Sequence, residues 1–107
     1  MPERRDEARL LKRVKVKYGV DEPIKTAFTR NLSLTGISLG TNNVFAPGTT
    51  VLVELEFPER TFSLWGRVMW AKKVPPALAY TVPCGMGVCF LEAGAEWEEF
   101  YEAWRAG

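Results

Sequence analysis

The segment Arg4-Arg5-Asp6-Glu7-Ala8-Arg9 places three guanidinium groups within six positions, with Arg5 and Arg9 four residues apart. Each guanidinium is a planar fork of N–H donors that fits phosphate oxygens or the Hoogsteen edge of guanine. Taken alone, such a cluster reads equally as a solvated, charged N-terminal stub. A second polar group stands at Asn31-Leu32-Ser33-Leu34-Thr35-Gly36, where a strand-like run ends. Asn31 offers amide donors and an acceptor, Ser33 a hydroxyl, and Gly36 a backbone able to take positive φ or to approach a ligand closely. An ordinary Asx or Ser turn would use the same residue types.

Other chemistries are poorly supplied. The chain has no histidine, which removes the commonest general base near neutral pH and with it Ser–His and Cys–His nucleophile pairs. Most carboxylates lie in the C-terminal tail or alternate with apolar residues in strand-like runs, so an enzyme is not expected. Cys84 and Cys89 have no histidine or further cysteine to complete a metal site, and free, buried or half-buried thiols are expected instead. Net charge is +1, yet residues 1–18 carry seven Lys/Arg against three Asp/Glu, whereas residues 92–105 carry one Arg against five Glu. A basic N-terminal segment can attract phosphate; the balanced remainder does not suit duplex DNA or a membrane surface.

The elements that must position these groups are legible as a series of short strands. Lys12–Tyr18 alternates charged residues with Val14, Val16 and Tyr18, the period of a half-buried strand. Ile24–Leu32, Ile37–Leu39, Val51–Phe57, Phe62–Lys72, Leu78–Val82 and Met86–Leu91 read as further strands, separated by Asp21-Glu22-Pro23, the Gly40–Thr49 loop, Pro58 and Pro75-Pro76. Gly85 and Gly87 suit a bulge or close packing. The period then changes. Trp97, Phe100, Tyr101 and Trp104 fall on one stripe of a helix, which must cover a barrel opening or sheet face or else meet a partner; packing on its own barrel is expected. One domain of 107 residues with 47% hydrophobic and 25% charged residues is the expectation. It divides into an arginine-rich segment 1–11, a run of strands 12–92 whose spacing suits a sandwich or a closed barrel, and an amphipathic helix 94–106. No apolar run is long enough to span a membrane and the first ten residues do not resemble a signal peptide, so a cytoplasmic location is expected.

Asn31-x-Ser33-x-x-Gly36, some twenty residues beyond Arg5-x-x-x-Arg9, resembles the paired signature of PilZ domains, the bacterial receptors for cyclic di-GMP. Leu32–Leu39, the strand ending near Phe57-Pro58, Gly66-Arg67-Val68 and Gly87-Val88-Cys89-Phe90 extend the likeness over nearly the whole chain. The resemblance implies a mainly β fold: an antiparallel Greek-key β-barrel of about six strands with a C-terminal α-helix. It further implies that Arg5 and Arg9 clasp phosphates and guanine edges, and that Asn31, Ser33 and Gly36 meet the guanine and the ligand backbone. Arg4 would stack on a second guanine and favour two ligand molecules per chain, and Trp70 would lie beside the ligand base or else fill the barrel mouth as a buried side chain. No cofactor other than this ligand is implied. The expected function is a stand-alone receptor and adaptor that orders its arginine segment on binding and signals to a protein effector. The alternative is a PilZ-like interaction module that does not bind the nucleotide. An OB-like barrel for single-stranded DNA or RNA would need aromatic and basic residues interleaved on one exposed face; most aromatics here fall at core-like periods, so no nucleic acid is expected.

Overall fold

A computed structural model describes residues 13–78 and 82–107. Among these, strands β1 (Lys15–Gly19), β2 (Lys25–Leu32), β3 (Gly36–Gly40), β4 (Thr50–Glu56), β5 (Thr61–Lys72) and β6 (Gly85–Phe90) precede one α-helix, α1 (Gly94–Ala106). Every strand pairing is antiparallel, and the cyclic order β1-β2-β3-β6-β5-β4 closes a barrel through the β1–β4 pair. The antiparallel barrel with a C-terminal helix is therefore the fold expected from the sequence. Closure leaves no sheet edge unpaired, which removes the main aggregation liability of a small β protein.

Alternation decides what fills the barrel. Val14, Val16, Tyr18, Val51, Val53, Leu55, Leu64, Val68, Met86 and Val88 point inward and are buried, while their neighbours in sequence, the buried Gly19, Gly85 and Gly87 excepted, are exposed or half-buried. At one end the opening is plugged by α1. Trp97 is wholly buried, with ring centroids 5.2 Å from Phe62, 5.7 Å from Phe90 and 6.0 Å from Phe57. Tyr101 is buried beside it, and Phe100 and Trp104 pack on the rim. The helical stripe of aromatics thus lies on the barrel, as its period requires. Glu96 in the first turn and Arg105 in the last suit the helix dipole.

At the other end, Tyr18 donates from its hydroxyl to Asn43 O at 2.8 Å and lies 2.9 Å from Thr41 Oγ1. Thr41 Oγ1 accepts from Asn43 N at 3.0 Å, leaving its proton for the tyrosine oxygen. Burial raises the Tyr18 pKa above 10.0, and the Thr41 hydrogen bond partly opposes this. A phenol whose folded pKa is raised favours folding fully below the unfolded value, and this contribution disappears as pH rises through the folded value. The stability advantage of the wild type over Tyr18→Phe is therefore expected to shrink as pH rises beyond about 10, measured by urea denaturation at stepped alkaline pH.

Of the expected strand Leu78–Val82, only the two end residues are described, and neither lies in a strand. Pro76–Leu78 is a short 3-10 helix, with Leu78 N donating to Pro75 O at 2.9 Å and Val82 N to Leu78 O at 2.8 Å. Two successive prolines fix φ near the helical value and supply no backbone donors, which suits the turn at Pro76–Leu78. Residues 79–81 lie outside the described residues. Cys84 and Cys89 are free, half-buried thiols; Cys84 precedes β6 and Cys89 lies within it.

Candidate functional site

Two β-bulges build the site. In β2 the register with β3 shifts between Thr29 and Asn31, making Arg30 the extra residue. Ala27 and Thr29 point inward before the bulge and Leu32 after it. Strict alternation would have sent Asn31 into the core; the bulge turns it out. In β5 the register with β6 shifts between Val68 and Trp70, with Met69 as the extra residue. That turns Trp70 outward, and it is 44% exposed on the outer wall rather than buried in the barrel mouth. The buried reading of Trp70 is corrected by this one inserted position.

The two redirected residues are the ends of a single cross-strand row. Asn31 pairs with Ser38, Ser38 with Gly87, and Gly87 with Trp70, across β2, β3, β6 and β5. The five-membered ring of the Trp70 indole lies directly over Gly87, where a Cβ would coincide with the ring. Only glycine leaves room for the indole to lie flat on the sheet. Around this row is an open recess of about 280 Å³, lined by Asn31, Ser33, Thr35, Gly36, Ser38, Met69, Trp70, Gly87 and Cys89, with Ile37 and Val88 at its base. Among the described residues, no acidic or basic side chain lines it. The recess can therefore offer hydrogen bonds and a stacking surface, but it cannot by itself neutralise an anion.

Ser33 and Gly36 shape the β2–β3 turn. Ser33 Oγ accepts from Gly36 N at 3.1 Å and donates to Gly36 O at 3.2 Å, while Ser33 N donates to Gly36 O at 2.9 Å. The serine hydroxyl thus closes its own turn. Gly36 does not take positive φ, contrary to one reading of the sequence; its requirement is close approach, because a Cβ there would press on the Val88 carbonyl oxygen. Gly36→Ala is accordingly expected to destabilise the protein by about 1–3 kcal/mol, since the obstacle is backbone and cannot swing away. Chemical denaturation of the two proteins tests this, and equal midpoints would show that β3 and β6 can separate freely.

Behind the turn, α1 holds its backbone. Trp97 Nε1 donates to Leu34 O at 2.9 Å, and Tyr101 Oη reaches Leu32 O at 3.4 Å. These carbonyls flank Ser33, so the motif and the helix share a hydrogen-bonded border. The N-terminal chain joins the barrel nearby. Val14 N donates to Thr29 Oγ1 at 3.1 Å and Thr29 N to Val14 O at 3.0 Å, which ties the start of the described chain two positions from Asn31. Arg4, Arg5 and Arg9 lie outside the described residues.

The structure thus brings Asn31, Ser33, Gly36 and Trp70 to one recess. Sequence reasoning missed Ser38, Met69 and the seat formed by Gly87. The available signal was Gly85-x-Gly87 within an otherwise apolar strand, where small residues on one face mark something laid across them.

Fold and site together define a small closed β-barrel module with a polar, uncharged recess on its outer wall and a helix tied to the turn beside it. The PilZ domain model matches residues 3–99, and the chain belongs to the PilZ domain family. Among solved structures, it resembles the Bacillus subtilis inhibitor of motility (MotI/DgrA), with a TM-score of 0.72 at 16% sequence identity over 88% of this chain. The match covers 46% of that protein, so this chain spans about half its length and the likeness is one of fold. No protein of curated function matches the chain. No described helix is long and apolar enough to cross a membrane.

Proposed function

We propose that this protein is a bacterial, cytoplasmic receptor for cyclic di-GMP that acts as an adaptor toward a protein effector. The observation that carries the reading is the row Asn31–Ser38–Gly87–Trp70, with hydrogen-bonding groups at one end and an aromatic plane at the other. A guanine has a polar edge and a flat face, and such a row serves both. The ligand's two phosphates need cations that the recess lacks, and Arg5 and Arg9 supply them. Their reach suffices: Arg9 precedes Val14 by five residues, which can span roughly 17 Å, and Val14 is anchored beside Asn31. Binding closes the arginine segment over the barrel, and the helix tied to Leu32 and Leu34 is positioned to carry the change to a partner surface.

Titration calorimetry with cyclic di-GMP tests the receptor, and heat indistinguishable from dilution overturns it in favour of a module working by protein contacts alone. The same titration reads stoichiometry. A guanidinium at Arg4 can lie flat on a further guanine face while bonding phosphate at its edge, so two ligand molecules per chain are expected. Arg4→Leu removes that plane and one charge, and the count should fall toward one with binding retained. Two ligands persisting in Arg4→Leu would show that another residue sets the count.

A further inference from the structure

No described side chain lining the recess is charged, yet Arg30 lies on the same wall, as do Arg67, paired with the lining residue Cys89, and Lys72, paired with Gly85. Arg30, the bulge residue immediately before Asn31, is exposed, and no hydrogen bond or ion pair joins it to a described residue. Its guanidinium does not extend into solvent. An ideal Cβ on Gly40 would stand 3.1, 3.3 and 3.4 Å from its Nε, Nη2 and Cζ, and one on Gly85 would stand 3.0 Å from Nη1. These distances place the group against β3 and β6, over two positions that lack side chains. Gly85 and Gly87 are successive outward positions of β6, about 7 Å apart. Arg30 reaches the first from β2, and Trp70 covers the second from β5. A planar cation and a planar indole thus approach each other across one strand.

This arrangement leaves the donor edge of Arg30 without a partner among the described residues, beside the stacking surface. A base lying on Trp70 brings its attached phosphodiester to the periphery of the ring, within the range of a side chain of arginine length. We propose that Arg30 is a further ligand-contacting residue, a barrel-borne cation that bonds a phosphate oxygen of the nucleotide stacked on Trp70. The inference rests on the receptor reading above, and it adds a charge fixed to the barrel to those supplied by the arginine segment.

Calorimetry of the full chain with cyclic di-GMP, at two salt concentrations and beside a thermal melt of the free protein, tests it. Arg30→Ala should weaken binding roughly 10- to 100-fold and flatten the salt dependence, with the melt unchanged. Arg30→Lys should recover part of the affinity, because it keeps the charge and loses only the fork. Wild-type affinity and salt dependence in Arg30→Ala would overturn the inference while leaving the receptor reading intact. Equal losses in both variants together with a lowered melt would also overturn it, assigning Arg30 to support of the bulge. A wild type that takes up no cyclic di-GMP overturns the receptor reading and this inference with it.

Discussion

Replacing Arg5 or Arg9 by alanine is expected to weaken cyclic di-GMP binding by about two orders of magnitude or more, while the melt of the free protein stays nearly where it was. The size of the effect follows from the neutrality of the recess, whose described lining includes no acidic or basic side chain. Each guanidinium can make two charge-assisted hydrogen bonds to a phosphate, and each such bond contributes roughly 1.5–3 kcal/mol. The small effect on folding follows from composition, because Arg4-Arg5-Asp6-Glu7-Ala8-Arg9 offers the core nothing larger than a methyl group. Ser33→Ala makes an informative contrast. It removes one neutral hydroxyl from the site but also two hydrogen bonds that close the turn, so its effect should divide between affinity and stability. Calorimetry paired with a thermal melt separates the two. Arginine variants that bind like the wild type would mean that the anion is held by cations of the barrel.

The second large effect is expected at Trp97. Its side chain is wholly buried among Phe57, Phe62 and Phe90, and its N–H satisfies the Leu34 carbonyl. Trp97→Ala leaves a cavity at the barrel end and an orphaned acceptor, with a combined cost of about 3–5 kcal/mol. For a domain of this size that lowers Tm by roughly 10 °C or more. Trp97→Phe refills much of the volume and isolates the hydrogen bond, at a cost nearer 1 kcal/mol. Urea denaturation monitored by circular dichroism gives both values. If Trp97→Ala unfolds at the wild-type midpoint, α1 does not seal the barrel, and the border it shares with Leu32 and Leu34 cannot transmit anything.

The fold was legible because period and punctuation agreed. Val14-x-Val16-x-Tyr18 and Val51-x-Val53-x-Leu55 mark inward faces without ambiguity, and the aromatic stripe of α1 could only be helical. The 3-10 turn at Leu78 shows where an apolar run misleads: Pro75-Pro76 favours a helical turn at the residue where a strand is expected to begin. At the site, Asn31, Ser33 and Gly36 were readable as a motif, but their setting was not. Neither bulge is marked by glycine or proline in Phe28-Thr29-Arg30-Asn31 or Val68-Met69-Trp70-Ala71. The shift exists only in the pairing with a neighbouring strand, so a reader of one strand places Trp70 inside. Arg30 was invisible for the same reason, since its significance depends on Gly40 and Gly85 lying beneath it.

The bulges at Arg30 and Met69 have a consequence for how such a barrel changes over evolutionary time. Substitution alters one side chain, whereas loss or gain of a single codon at a bulge moves every residue beyond it to the opposite face. Removal of Met69 would bring Trp70 toward the interior and take the aromatic plane off the outer wall; removal of Arg30 would do the same to Asn31. The strands β1 and β4, which hold much of the interior, contain no such shift in their pairing with each other. The outer-wall recess is therefore open to indels at two defined places, either of which would remove one end of the row in one step without rewriting that half of the barrel.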